Sequence, residues 1–162
     1  MLQKLKKAQA GFTIIELLIV IAIIAILAGL VLNNFQGAQA KARDTQRVTD
    51  VNNIHTKLEE YYGDNNGYPN TFTAATFPGI DADSLKDPKG TSVDINAVVA
   101  DETAADAVAA PDGSGVTPQY LFVPFGAAGC TTACTGYVLK TFVEKPTVTT
   151  PNPYRKEGLN NP

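Results

Sequence analysis

The 162 residues contain no tryptophan, one histidine and two cysteines. Each scarcity removes a class of function. The single histidine, His55, has no other ligand type clustered beside it, which leaves zinc without a coordination set. Only three serines are present, Ser84, Ser92 and Ser114, and none stands in a nucleophile motif, so the sequence gives no support to serine catalysis. Gly113-Ser114-Gly115 lacks the strand-loop-helix setting of a phosphate cradle. No catalytic residue and no cofactor is called for. Positive charge is short as well. Thirteen basic residues against 16 acidic, net −3, give no reason to expect nucleic acid bound directly through bulk charge. Proline is missing from Phe12 to Tyr62, so nothing in that stretch removes a helical hydrogen bond.

What is present begins with an apolar run, Phe12 to Leu32. Its 21 residues span roughly 31 Å as a helix, about the thickness of a bilayer's hydrocarbon core. Between Leu17 and Leu32 the run is Leu, Ile, Val and Ala with one glycine, and that part reads as a membrane-spanning helix. Glu16 is the exception, because an acid well inside such a helix costs about 2.5–3.5 kcal/mol on insertion scales and marks a functional position by default. A conventional secretory signal is cut after its apolar region, behind small residues. Here the small residues Ala8, Ala10 and Gly11 precede the run and follow the basic Lys4, Lys6 and Lys7. Cutting between Gly11 and Phe12 removes the charged leader, keeps the apolar segment and creates an α-amino group four residues from Glu16. The mature chain then carries 10 basic and 16 acidic residues, net −6.

Gly11-Phe12-Thr13-x-x-Glu16 followed by an unbroken apolar helix resembles the class III signal of type IV prepilins and type II secretion pseudopilins. The likeness runs on through Asn33-Asn34-Phe35, Ala42-Arg43-Asp44, Leu58, Tyr61 and Asp64-Asn65 to Tyr68-Pro69. The resemblance implies cleavage after Gly11 by a prepilin peptidase, N-methylation of Phe12, and self-polymerisation through the N-terminal helix, with Glu16 setting the register between copies. It also implies an assembly platform and an ATPase motor as indirect partners. The subunit would be a single-pass membrane protein with its N-terminus cytoplasmic before assembly, held by lipid, and part of a cell-surface filament afterwards. One departure from the family is Asn33, where many members carry a helix-distorting proline; Gly29 and Gly37 are the alternative weak points in the helix, each lowering propensity by about 1 kcal/mol.

The expected architecture is α+β: a long N-terminal helix whose second half packs on a small antiparallel sheet, as in the pilin fold. The segments are 1–11 as leader, 12–34 as membrane or filament-core helix, 35–62 as its amphipathic half, and 63–162 as a globular head with an extended tail. In the amphipathic half Val48, Val51, Ile54, Leu58 and Tyr61 recur at three- and four-residue steps and predict one buried stripe, with Asp44, Arg47, Asp50, Lys57 and Glu60 on the remainder. Gly63 to Pro69 ends the helix. A loop over roughly 63–92 follows, with a short turn at Asp81 to Lys86 and another at Asp87-Pro88-Lys89-Gly90. Val93 to Val99 alternate like a strand, while the alanine-rich Asp101 to Ala110 favours a short helix. Gln119 to Phe125 and Tyr137 to Glu144 predict an antiparallel pair. The proline-rich tail from Pro146 reads as extended and mobile.

Four further sets of residues carry readings of their own. Cys130 and Cys134 share one exposed loop of an exported domain and are expected to form a disulfide. Asp81, Asp83 and Asp87 offer oxygens to calcium, but their spacing forms no recognised loop and solvated carboxylates are the simpler reading. Lys41, Arg43 and Arg47 are read as interfacial anchors paired with Asp44 and Asp50 rather than as a phosphate or DNA site. His55 is read as a helix residue flanking the apolar stripe. Two alternatives to a major-type pilin stand beside it: the main pseudopilin of a type II secretion system, and a membrane-tethered binding domain that never polymerises.

Overall fold

The computed structural model describes residues 11–71, 79–89, 93–95, 98–113, 119–127, 130–131 and 133–162. The leader before Gly11, together with Ser92 and Ser114, lies outside them. Two compact units are distinguished, 1–39 and 40–162.

The first helix, α1, runs from Ile14 to Asn65 and passes through Gly29, Asn33 and Gly37 without a break. It continues three residues past Tyr62 and stops at Asn66, which takes a positive φ of 54° and donates its N–H to the Tyr62 carbonyl at 2.8 Å. Asparagine tolerates that left-handed position better than most residues, which is why Asn66 rather than Gly63 closes the helix.

Within the second unit the remaining elements are β1 (Asp94–Ile95), α2 (Glu102–Ala107), β2 (Tyr120–Phe125), β3 (Gly136–Thr141) and β4 (Tyr154–Glu157), plus a 3-10 turn at Ala82–Leu85. The sheet order is β1-β2-β3-β4. β2, β3 and β4 are antiparallel, and the two-residue β1 lies parallel to β2. The fold is therefore α+β, a long N-terminal helix with a small antiparallel sheet, consistent with the pilin fold.

Every residue of β2 and β3 is buried because both faces of the sheet are covered. Tyr120, Phe122, Tyr137 and Leu139 pack with Val51, Ile54 and Leu58 of α1. Alternation sends Leu121, Val123, Phe125 and Val138 to the other face, where they meet Ala105 of α2, Val99 and Val108. Such doubly covered strands read as continuous apolar runs. Lys140 lies on this second face opposite Arg155 of β4, and it is buried. Its Nζ donates to the carbonyls of Ala105, Asp106 and Val108 at 3.1, 2.8 and 2.9 Å. These carbonyls lie at the C-terminus of α2, where Ala105 also accepts the Val108 N–H at 3.3 Å, so all three ammonium donors are used and the short helix is pinned to the sheet. Burial pushes the Lys140 pKa down.

The tail departs from the expectation of an unpaired, mobile end. β4 pairs with β3 from Val138↔Glu157 to Thr141↔Tyr154, and Asn161 bonds both the N–H and the carbonyl of Tyr137. Leu159 N–H donates to Glu59 at 3.1 Å, and Asn160 N–H to the Tyr68 hydroxyl at 3.2 Å. Pro146, Pro151 and Pro153 all precede the strand, which begins directly after Pro153.

Candidate assembly segment and the charged core of the head

The apolar segment has nothing to pack on within the chain. Phe12 is 92% exposed, and every large apolar side chain from Ile14 to Leu32 is more than half exposed. The most apolar 18 residues of α1 have a mean hydropathy of 3.1. Fourteen such side chains lie between Ile14 and Leu32, and at roughly 1.5–3 kcal/mol each their burial is worth tens of kcal/mol. By length and composition the segment can cross a membrane, and it requires either lipid or other protein around it.

At its head Thr13 and Glu16 form a capping box. The Glu16 carboxylate accepts from the Thr13 N–H and hydroxyl, both at 2.8 Å, and the Thr13 hydroxyl oxygen accepts from the Glu16 N–H at 3.2 Å. The reciprocal bonds satisfy donors that a helix start leaves open. The spacing Thr-x-x-Glu is visible in the sequence and was eclipsed there by the oddity of an acid next to an apolar run. Gly11 is exposed, and a Cβ placed there meets nothing within 4 Å. Gly11, Phe12 and Glu16 thus lie together in an accessible stretch.

The head is organised around a cation that sequence reading placed on the surface. The buried positions of α1 are Ala40, Asp44, Arg47, Asp50, Val51, Ile54 and Leu58, and all but Asp50 follow alternating four- and three-residue steps. Val48 is only half buried; Arg47 occupies the place it was expected to hold in the stripe. The Arg47 guanidinium makes a two-pronged bond to Asp87 (2.6 and 3.3 Å) and reaches Asp44 and Glu144, each at 3.0 Å. Arg43 grips Glu144 with 2.8 and 2.6 Å bonds. Asp44 in turn accepts the N–H groups of Glu144 and Lys145 at 2.9 and 2.8 Å. The network ties α1 to the loop holding Asp87 and to the chain leaving β3. The reading of Arg43 and Arg47 as interfacial anchors is therefore corrected. The expected pairing with Asp44 is present for Arg47, whereas Asp50 is buried, accepts the Tyr120 hydroxyl at 2.7 Å and bonds Ser84, with burial pushing its pKa up.

Glu144 carries a pH prediction. Its bond to Arg43, followed by those to Arg47 and Lys89, holds its pKa at about 2 against an ordinary 4.5. A carboxylate depressed in the folded state contributes stability that is complete above the unfolded value and is lost as pH falls through the folded one. Glu144→Gln is expected to destabilise the head at pH 7, and the gap between wild type and variant to close between pH 4.5 and 2. Denaturant midpoints measured across that range check it.

The remaining candidate residues are dispersed. Asp81 caps the 3-10 turn, accepting from Asp83 N–H, Asp83 is exposed, and Asp87 belongs to Arg47, so the three acids share no centre. Among the described residues no group of three or more His, Cys, Asp or Glu is placed to hold a metal. His55 Nδ1 lies 2.7 Å from the Tyr137 hydroxyl, and burial pushes its pKa down. Cys130 and Cys134 are joined as a disulfide with Cα atoms 5.0 Å apart. Both are buried in the core shared with α1 rather than exposed. The strand-like bonds between Tyr68 and Cys134, at 2.9 and 2.7 Å, fasten their loop to the end of the helix.

Comparison with known proteins places the N-terminal segment first. The family defined by the prokaryotic N-terminal methylation motif matches residues 6–32, so the segment is similar to the methylation signals of that family. The particular relatives are type II secretion and type IV pilus proteins. The type II secretion system core protein G of Aeromonas hydrophila is 42% identical over 66 residues, 41% of this chain and 46% of the relative. That of Pectobacterium carotovorum is 41% identical over 63 residues, 39% of this chain and 40% of the relative. The type IV wide pilus major component PilA4 of Thermus thermophilus is 44% identical over 70 residues, 43% of this chain and 53% of the relative. The likeness to pilins and pseudopilins is thus shown over a limited stretch, and the chain spans about half the length of the curated relatives it matches. No solved structure matches.

Proposed function

We propose that the chain is a structural subunit, a major-type pilin of a type IV pilus or related filament. The leader 1–11 is removed by a prepilin peptidase after Gly11, Phe12 is N-methylated, and copies polymerise through the helix 12–34 with Glu16 setting their register. Before assembly the subunit sits in the membrane by that helix with its N-terminus cytoplasmic; afterwards it belongs to a surface filament raised by a platform and an ATPase motor. The observation carrying this reading is an apolar segment that is wholly uncovered in the single chain and lies inside a matched methylation motif. A segment of that kind has two possible solvents, lipid and its own copies. The relatives include a secretion-system core protein and a pilus major component, which supports a structural role.

The relatives named core protein G favour a second reading, the main pseudopilin of a type II secretion system. Mass analysis of material sheared from the surface separates the possibilities. A filament protein beginning at methylated Phe12 supports the pilus, and a processed chain kept in the envelope, whose deletion blocks protein export, supports the pseudopilus. A chain that retains Lys4 to Lys7 and stays in the membrane as a monomer is a tether and overturns both.

A further inference from the structure

Most cations of the head are committed: Arg43, Arg47, Lys57, Lys86, Lys89 and Arg155 all have carboxylate partners. Lys41 and Lys145 are both exposed, have no carboxylate partner among the described residues, and line one cavity of about 260 Å³. Its walls are built. Asp44 fixes the Lys145 backbone through the bond to its N–H, and the turn opposite is closed by mutual backbone bonds between Thr147 and Thr150 at 2.8 and 3.3 Å. The Asp44 carboxylate in the lining is already occupied by Arg47 and two backbone N–H groups. Thr45 and Thr49 also line the cavity and donate their hydroxyl hydrogens to helix carbonyls, so toward the cavity they present acceptor lone pairs. At the tip of the 147–150 turn Val148 is 102% exposed.

Two unpaired ammonium groups ask for an anion, hydroxyl lone pairs ask for donors beside it, and a bare valine asks for an apolar boundary. We infer that the 41–49 and 145–150 face binds the headgroup of an anionic phospholipid bearing its own hydroxyls, of the phosphatidylglycerol type, in the unassembled subunit. The phosphate lies between Lys41 and Lys145, the headgroup hydroxyls donate to Thr45 and Thr49, and Val148 enters the acyl boundary. The inference rests on the membrane stage of the proposed function. Lys41 follows Leu32 by nine residues of α1, about 14 Å of helix, so a bilayer holding the apolar run has headgroups within range. Against a mature charge of −6, an uncompensated basic cavity at that distance is a local exception with a local partner.

The test uses the full chain carrying Val148→Cys with an environment-sensitive fluorophore, reconstituted in vesicles of phosphatidylcholine alone or with phosphatidylglycerol. The label is expected to shift to the blue and to be quenched by spin-labelled lipid only where phosphatidylglycerol is present. Each lysine is expected to contribute about fivefold to that preference, so Lys41→Gln with Lys145→Gln lowers it tenfold or more, while Lys→Arg at both positions keeps it. Equal quenching in both vesicles, or a glutamine pair that behaves as wild type, overturns the proposal. So does relief of quenching by millimolar inorganic phosphate, which would mark a free-phosphate site, or quenching that tracks protein density, which would mark a second copy. A chain that floats with neither vesicle overturns the membrane stage and this site together; one that floats but shows no preference overturns the site alone.

Discussion

Arg47→Ala is expected to cost the head about 3–5 kcal/mol, the range for removing one partner from a buried ion pair and leaving the others charged. The side chain of Arg47 is wholly buried, as is that of Asp87, and those of Asp44 and Glu144 are only 7% and 17% exposed. Three carboxylates would lose their shared counter-charge at once, and total stability of a domain is only about 5–15 kcal/mol. Denaturation of the full chain in detergent, followed through the near-ultraviolet signal of the buried Tyr68, Tyr120 and Tyr137, reads the loss as a lowered midpoint. Arg47→Lys is expected to fall between, because an ammonium cannot reproduce the two-pronged grip on Asp87. Replacing the pair by Met at Arg47 and Leu at Asp87 restores part of the loss if the damage comes from stranded charge. A wild-type midpoint for Arg47→Ala would show that the charged core does not hold the head together.

That core shows where reading the sequence stopped. A stripe on a helix is found by its apolar members, and Val51, Ile54 and Leu58 were found in that way. Carried backwards at the same steps, the stripe passes through Arg47 and Asp44 to Ala40, all buried. Periodicity places them there, but hydrophobicity cannot, since a buried Arg is admissible only with partners. Two of those partners, Asp87 and Glu144, lie 40 and 97 residues away. The rule that charge lies outside failed where tertiary partners override it.

The tail was obscured for a different reason. Tyr154–Glu157 lacks the apolar alternation of a core strand because it is the edge of the sheet, where charged side chains are an ordinary device. Arg155 reaches Glu102 and Asp106 at 2.8 and 2.9 Å, so even its charges are structural. By contrast β2, β3 and α2 were legible, since β-branched and aromatic runs and an alanine-rich stretch each state their preference locally. The likeness carried by Gly11-Phe12-Thr13-x-x-Glu16 was legible too, since it is a local peptide pattern, and the motif match over residues 6–32 covers it.

Glu16→Ala is expected to leave membrane insertion intact and to abolish filaments. Insertion follows apolar length, and removing an acid next to the run only favours it. Assembly asks more of the side chain. In the single chain its carboxylate is engaged by Thr13 alone, on an exposed helix start where water competes. In the proposed filament that start is dry, and the α-ammonium of Phe12 on a neighbouring copy is the opposite charge within reach. A pair at about 4 Å gains roughly 4 kcal/mol at an effective dielectric near 20, much of it offset by desolvation. The pair therefore contributes little net adhesion and instead penalises every register that leaves either charge buried alone. Apolar surfaces worth tens of kcal/mol do not choose among registers, because sliding one helix past another conserves greasy contact. Glu16→Gln separates the two roles of the residue: the amide oxygen still caps Thr13 but carries no charge. Filaments from the glutamine variant but not from alanine would assign the function to the cap, whereas loss in both, with insertion retained in both, assigns it to the charge.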